Sequence, residues 1–173
     1  MRRIFASWAV AAVVIALMAV ALLLEPEQNG NDSDEELPGS VTVQVTRVVD
    51  GDTIEVRLRA EEEDVRYIGV DTPETVEPGE PVDCFGPRAS HFNEDLVEGE
   101  EVRLVFDTEL RDDYGRLLAY VYRGDRFVNA ELVRRGYARS LTIPPNDRFA
   151  ALFRRAEHRA GVAGRGLWGA CGP

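Results

Sequence analysis

The feature that most constrains the fold is a series of five short segments in which apolar and polar residues alternate. Such alternation is typical of strands that bury one face, and the β-branched residues of the first segment strengthen the prediction. The segments are residues 41–49, 53–59, 65–70, 101–106 and 116–122. Asp50-Gly51 predicts a hairpin turn between the first two, and the acidic residues 61–64 predict a solvated turn before the third.

Apolar residues three or four positions apart predict three helices. The first begins at Pro87 and ends before Gly99, between the third and fourth strands, and the others cover residues 128–135 and 147–160. Five short strands with a helix inserted after the third are typical of a small Greek-key barrel of the oligonucleotide-binding (OB) type. We therefore predict an α+β fold: a five-stranded OB-fold β-barrel with three α-helices, preceded by an N-terminal hydrophobic helix.

The N-terminal helix is predicted from residues 1–24. Arg2 and Arg3 precede an apolar run of 21 residues, 4–24, which is long enough to span a bilayer. The run is either an uncleaved signal anchor or a signal peptide cleaved after Ala19-Val20-Ala21. Its length favours the anchor, because the apolar core of a cleaved signal is usually about 7–15 residues. Both interpretations place the rest of the chain outside the cell, membrane-bound or secreted.

Charge separates the remaining chain into two parts. Residues 25–39 contain six acidic residues and no basic ones, which predicts a disordered linker, and residues 40–173 suffice for one compact domain. The whole chain has a net charge of −11 and no lysine. That balance argues against a nucleic-acid partner, since proteins that bind polyanions are usually basic. An acidic, arginine-only surface also suits high external salt, which screens self-repulsion, so we expect a salt-loving source.

The two cysteines, Cys84 and Cys171, predict a disulfide. In an exported domain an even pair is more often a structural bond than a metal site or a nucleophile. Two free, buried thiols are the alternative.

The acids and arginines of residues 50–74 predict a site that cleaves phosphodiesters. Asp52 and Asp71 each follow a predicted strand, so a barrel can bring them together. Two carboxylates and a backbone carbonyl suit Ca²⁺, which takes oxygen ligands and polarises a phosphoryl oxygen. The alternative is two exposed acids with no shared role. Glu74, in the loop after Asp71, is placed to deprotonate a water molecule.

Arginines complete the predicted site. Arg66 and Arg116 have the forked geometry that binds phosphate oxygens and stabilises charge in a five-coordinate transition state. Each one taken singly is more often a surface residue. Tyr114-Gly115 precedes Arg116, and the glycine permits close approach of a ligand. His91 and His158 are interpreted as structural or surface residues.

These segments resemble the staphylococcal nuclease (thermonuclease) family. The resemblance covers residues 41–168 in order, and rests on the segments at 49–53, Arg66, 70–75, 85–87, 113–120, 128–136 and 166–168. It implies an OB-fold barrel and Ca²⁺-dependent hydrolysis of DNA and RNA. It also implies Ca²⁺ ligands at Asp52, Asp71 and the carbonyl of Thr72.

The resemblance further assigns phosphate and transition-state contacts to Arg66 and Arg116. It gives Glu74 the water-activating role and places Tyr114 near the bound nucleotide. Every catalytic position of the family pattern holds the expected residue type. Residues 140–144 depart from the family pattern because they lack its aromatic side chains, on which bases stack for roughly 1–3 kcal/mol each.

The sequence therefore predicts an exported, membrane-tethered or secreted, monomeric Ca²⁺-dependent nuclease that acts on DNA, RNA or both. The acidic charge and the missing aromatics leave a second interpretation open, a catalytically silent oligonucleotide- or protein-binding module displayed on the membrane. A structural envelope protein is a third, which would leave the assembled carboxylates and arginines unexplained.

Overall fold

Strand pairing closes the chain into a barrel in the computed structural model, which describes residues 39–75 and 82–171. The strands are β1 Ser40–Asp50, β2 Thr53–Leu58, β3 Glu61–Tyr67, β4 Val70–Asp71, β5 Glu101–Val105, β6 Leu117–Arg123, β7 Arg126–Phe127 and β8 Arg139–Ser140. The main sheet runs in the order β3-β2-β1-β5-β6-β7, and a parallel pairing of β3 with β6 closes it. The predicted five-stranded OB-fold barrel is confirmed.

The three predicted helices are present, and a short helical turn follows them. Their bounds are α1 Gly86–Val97, α2 Val128–Arg135, α3 Ala150–Val162 and α4 Leu167–Ala170. Within the described ranges, no helix is long and apolar enough to cross a bilayer. The predicted membrane helix at 1–24 and the predicted linker, apart from Gly39, lie outside the described residues.

Two predicted boundaries around the third strand were wrong. Residues 61–64, predicted as a turn, belong to β3 and pair with β2 from Leu58 opposite Glu61 onward. The turn is Arg59-Ala60, where Arg59 has a φ of 59°. The strand ends at Tyr67, and β4 follows as a separate strand paired with β8. The charges misled the prediction because an edge facing water tolerates acids on a strand.

Two buried asparagines connect helices α1 and α2 to the turns at Asp50 and Ile68. Asn93 of α1 accepts a hydrogen bond from the Tyr67 hydroxyl and donates one to the carbonyl of Asp50. Asn129 of α2 accepts from the amide of Val121 and donates to the carbonyl of Ile68. Because buried polar groups are costly when unpaired, these bonds hold the turns at Asp50 and Ile68 in place.

A disulfide joins Cys84 to Cys171, as predicted, and no described cysteine is free. The bond spans 87 residues of sequence and connects the segment before α1 to the end of α4. The loop that enters α1 is therefore covalently tied to the C-terminal end of the domain.

Candidate active site

Asp52 lies in the turn between β1 and β2 and is almost fully buried, with 5% of its surface exposed. Its Oδ2 accepts a hydrogen bond from the Thr72 amide at 2.8 Å, and its Oδ1 accepts one from the Thr53 hydroxyl at 3.2 Å. Gly51 allows this approach, because a Cβ there would lie 2.7 Å from Thr72 Oγ1. The turn and the segment after β4 therefore pack against each other.

The environment of Asp52 acts on its pKa in two directions. Burial raises the pKa of the Asp52 carboxyl above its ordinary value, since a charge in a dry site loses its hydration. The positive charge of Arg66 and the Thr72 amide oppose that rise, while Asp71 adds to it. A positive charge beside Asp52, such as that of Arg66, stabilises the ionised form of its carboxyl.

Arg66 of β3 brings the two predicted metal-binding carboxylates together. Its Nη1 lies 3.0 Å from Asp52 Oδ2 and its Nη2 lies 3.0 Å from Asp71 Oδ1. Nη1 also donates to the carbonyl of Val70 at 2.8 Å. Only 16% of the Arg66 side chain is exposed, whereas 49% of the Asp71 side chain is. Asp71 therefore presents its carboxylate at the mouth of the site.

Glu74 is held by both its backbone and its side chain. Its amide donates to Asp83 Oδ2 at 3.2 Å, and its carbonyl accepts from the Asp83 amide at 3.0 Å. Its carboxyl lies within hydrogen-bonding reach of the Asp50 carboxyl. Gly86 makes room for this segment, since a Cβ there would lie 2.8 Å from the Glu74 carbonyl oxygen. The start of α1 therefore positions the predicted water-activating residue.

Asp50 sits beneath Glu74 with 5% of its surface exposed. Burial raises its pKa to about 6, and the neighbouring Glu74 carboxyl adds to the rise. The Thr75 hydroxyl, which donates to Asp50 Oδ1 at 2.7 Å, and the Gly51 amide oppose it. Asp50 thus forms a polar support between the β1–β2 turn and the loop that carries Glu74.

Arg116 is oriented by an acid in the preceding turn. Its Nε donates to Asp112 Oδ2 at 2.8 Å, its Nη2 lies 2.7 Å from the same oxygen, and its amide donates to Asp112 Oδ1. The guanidinium lies 5.3 Å from the ring centre of Tyr114, which is 86% exposed. Tyr114 therefore offers one ring to solvent beside a fixed arginine.

A cavity of about 340 Å³ connects the two arginines. Arg66 and Arg116 line it together with Tyr114, while Leu141 and Ile143 form an aliphatic part of the wall. The predicted carboxylates lie outside this lining, and Asp71 and Thr72 instead border a separate depression of about 250 Å³. Arg66 contacts Asp52 and Asp71 and also lines the cavity. It therefore lies between these carboxylates and the cavity.

Comparison with known proteins identifies this arrangement. The family model described as "Staphylococcal nuclease homologue" matches residues 64–170. The chain is 39% identical to a thermonuclease of Staphylococcus intermedius over 160 residues, which is 90% of this chain and 95% of the relative. The chain belongs to the staphylococcal nuclease family. It is also 39% identical over 127 residues to a thermonuclease of Staphylococcus hyicus (73% and 75% of the two chains). With endonuclease YncB of Bacillus subtilis it shares 40% identity over 134 residues, 76% of this chain and 64% of the relative.

Within this family domain the predicted site residues fall into connected groups. Arg66 contacts Asp52 and Asp71, and Asp52 accepts a hydrogen bond from the Thr72 amide. Glu74 belongs to a second group with Asp50 and Thr75. Arg116 and Tyr114 lie across the shared cavity. The histidines take no part, since His91 is exposed and paired with Glu94, and His158 is exposed on α3. The catalytic roles of the site residues stay predictions.

Sequence reasoning missed the residues that support this site. Asp83 and Asp112 hold Glu74 and Arg116, and Asn93 holds the turn at Asp50. Asp112 carried a detectable signal, because an acid four residues before an arginine in a turn is well placed to pair with it. Asp83 and Asn93 carried none, since their partners lie 9 and 43 residues away.

The oxygen atoms near Asp52 fit a hard cation such as Ca²⁺. Asp52 and Asp71 supply carboxylates, and the segment after β4 brings in Thr72. The Thr72 hydroxyl is buried, and the Thr72 side chain helps to lower the pKa of the Asp52 carboxyl. Within the described residues, no group of three or more His, Cys, Asp or Glu side chains is arranged to hold a metal ion. Two carboxylates and a carbonyl would leave the remaining coordination positions to water, which Ca²⁺ accepts.

Proposed function

We propose that this protein is an exported, Ca²⁺-dependent nuclease that hydrolyses phosphodiester bonds of DNA, RNA or both. Family membership supports nuclease activity, and the relatives are named thermonuclease and endonuclease. The observation that carries the proposal is the contact of Arg66 with both Asp52 and Asp71, at the edge of a cavity that also contains Arg116. One arginine thus joins a hard-cation site to a phosphate site.

The proposed metal ligands are Asp52, Asp71 and the carbonyl of Thr72. When bound there, Ca²⁺ supplies charge that polarises a phosphoryl oxygen. The protein contributes the placement of these oxygens, because the buried Asp52 is fixed by the Thr72 amide and by Arg66.

The arginines bind the phosphate that is cleaved. Within the described residues, Arg66 uses its Nη atoms for the carboxylates and for backbone carbonyls, which leaves its Nε–H for a phosphate oxygen. Arg116 directs Nε and Nη2 at Asp112, which leaves Nη1. Both cations then stabilise charge that grows on the phosphate in the transition state.

Glu74 is the proposed base for the attacking water. Asp83 holds its backbone, Gly86 leaves room for its carbonyl, and the Asp50 carboxyl lies beside its side chain. A positioned base typically contributes about 10²- to 10⁴-fold to the rate. The water oxygen bonds to phosphorus as the P–O bond on the opposite side breaks. Glu74 takes the proton of the water, and the departing oxygen takes a proton from solvent.

The proposed location is outside the cell, either at the membrane through residues 4–24 or secreted after cleavage. The disulfide supports export, because such bonds persist in oxidising compartments. N-terminal sequencing of the protein recovered from host membranes and from the medium tests it. An N-terminus at residue 1 in membranes indicates an anchor, one near residue 22 in the medium indicates cleavage, and retention in the cytosol contradicts export.

The decisive experiment is digestion of single-stranded DNA and RNA by the full chain in detergent, with Ca²⁺ and with chelator, from low to multimolar salt. The Glu74→Gln variant runs beside it, with Glu98→Gln, an exposed acid at the end of α1, as a matched control. We expect cleavage that requires Ca²⁺, survives in Glu98→Gln and falls by about 10²- to 10⁴-fold in Glu74→Gln. Folded protein that binds DNA without cleaving it at any salt would instead support the binding module.

A further inference from the structure

The outer side of α3 carries a concentration of positive charge. Arg154, Arg155 and Arg159 lie there with His158 around a shallow depression of about 330 Å³, and Ala151 completes its lining. All five residues are exposed. We call these five residues the arginine face. Among the residues that the structure describes, no acid lines the depression.

The arginine face groups three arginines that form no ion pair with an acid of the described residues around one depression. Elsewhere in the described chain, arginines that form ion pairs with Asp or Glu are Arg47, Arg57, Arg66, Arg111, Arg116, Arg123, Arg134, Arg135 and Arg148. Within the same described ranges, none of the three arginines of the arginine face does. The only acid of α3, Glu157, instead accepts a hydrogen bond from the Ser140 hydroxyl. A chain with 31 acids and 20 basic residues has thus left one helix face purely positive.

The same helix supports the wall of the candidate active site. Phe153 on its buried side packs so closely on Gly69 that a Cβ there would overlap its ring, and Gly69 lines the cavity between the two arginines. Ser140, which Glu157 holds, precedes Leu141 of that cavity. At about 100° per residue, Arg154 lies about 60° around the helix from Glu157. Arg154 therefore neighbours Glu157 on the helix, and Glu157 contacts Ser140, the residue before Leu141 of the cavity.

We propose that the arginine face is a second binding surface for the phosphate backbone of long single-stranded nucleic acid, outside the site of cleavage. The inference rests on the proposed function for the identity of the polyanion. Guanidinium groups bind phosphates through paired N–H donors, and their attraction is local enough to act despite the net charge of −11. Long strands then bind at two places and short ones only at the cleavage site.

A membrane surface is the competing partner, and the helix fits it less well. Helices that lie on anionic membranes need a bulky apolar side that enters the lipid. The apolar side of α3 is used inside the domain, where Phe153 and Ala156 are buried. Continuity with the cavity wall favours nucleic acid.

The test compares two triple variants of the full chain. Arg154→Gln/Arg155→Gln/Arg159→Gln neutralises the arginine face. Arg57→Gln/Arg103→Gln/Arg126→Gln is the matched control, because it removes the same charge from exposed positions on β2, β5 and β7. Binding of a labelled long single-stranded oligonucleotide and of a dinucleotide is measured by fluorescence anisotropy across a salt series, with Ca²⁺ and in the Glu74→Gln background, so that no turnover is needed.

We expect the arginine-face variant to bind the long strand about tenfold more weakly at low salt. The slope of log affinity against log salt should fall in magnitude by about 2, because each lost phosphate contact on a single strand contributes about 0.7. Dinucleotide binding and the control variant stay close to the parent. Equal losses in both triple variants, or an equal loss for the dinucleotide, would overturn the inference. So would unchanged long-strand binding with reduced recovery on anionic vesicles alone, which identifies a membrane surface.

The inference and the proposed function fail separately in this design. Absence of cleavage by the parent refutes the nuclease, while a selective loss of long-strand binding still supports the arginine face. In the active background, a KM for long DNA that rises in the arginine-face variant with kcat unchanged supports both. Cleavage with identical KM values in all three proteins refutes the arginine face alone.

Discussion

Arg66 Nη2 lies 3.0 Å from Asp71 Oδ1, while Nη1 of the same guanidinium lies 3.0 Å from Asp52 Oδ2. One side chain on β3 therefore bridges an acid of the β1–β2 turn and an acid of β4. The arrangement depends on the planar guanidinium, because its Nη1 contacts Asp52 and its Nη2 contacts Asp71.

Arg66→Lys should preserve the charge and lose the geometry. A lysine ammonium carries its three donors on one nitrogen, which cannot take the places of both Nη1 and Nη2 beside Asp52 and Asp71. We expect activity to fall by about 10²- to 10³-fold, the usual effect of removing one positioned donor. Steady-state kinetics on single-stranded DNA measure it, with the exposed Arg57→Lys as control. Activity within twofold of the parent would show that charge alone suffices.

Gly86→Ala should displace Glu74 without disturbing the barrel. The new methyl group would meet the Glu74 carbonyl and the Thr75 side chain, both at 2.8 Å, so the loop must move. A shift of about 1 Å in a catalytic group can cost roughly 10²-fold in rate. We expect kcat to fall by about 10²-fold, while the urea concentration at the midpoint of unfolding changes little.

Gly161→Ala is the control for this substitution, because a Cβ at Gly161 has only Trp168 near it, at 3.9 Å. If kcat in Gly86→Ala equals that of the control, the contact at Gly86 does not position Glu74.

Replacing both cysteines by serine should lower the free energy of unfolding by roughly 4–5 kcal/mol, on the chain-entropy model for a loop of this length. The bond closes 87 residues of sequence. Urea unfolding of the oxidised parent, the reduced parent and the double variant measures the effect. The reduced parent should match the variant. Equal stability of all three would mean that the unfolded chain is compact without the bond.

Ile143→Tyr should strengthen binding of single-stranded DNA. Ile143 lines the cavity near Tyr114 and is 60% exposed, so a ring there can meet a base. Stacking is worth roughly 1–3 kcal/mol per base. Because position 143 is partly exposed, we expect a gain near the lower value, which corresponds to a KM about fivefold lower. Val162→Tyr, at a position on α3 that is 78% exposed, controls for added aromatic surface. An equal effect in both variants would show that the cavity wall does not contact the base.

The sequence by itself determined the strand and helix order, the hairpin at Gly51 and the disulfide between Cys84 and Cys171. These follow from three signals in the sequence: alternation along a strand, turn chemistry and an even cysteine count in a chain predicted to be exported. The predicted site residues followed from the motifs of 49–53 and 70–75, because a family pattern preserves residue types at set spacings.

Only the tertiary structure decided which groups support that site. Asp50 meets Glu74 and Thr75, and Asn93 meets the carbonyl of Asp50, across separations that no periodicity encodes. The acidic residues 61–64 became strand because β2 offered backbone partners, which outweighed their preference for a turn. The helical period of residues 147–160 already groups Arg154, Arg155 and Arg159 on one side of α3, and the fold adds that they line one depression. Charge along a sequence is local, whereas pairing depends on distances that the closed barrel alone creates.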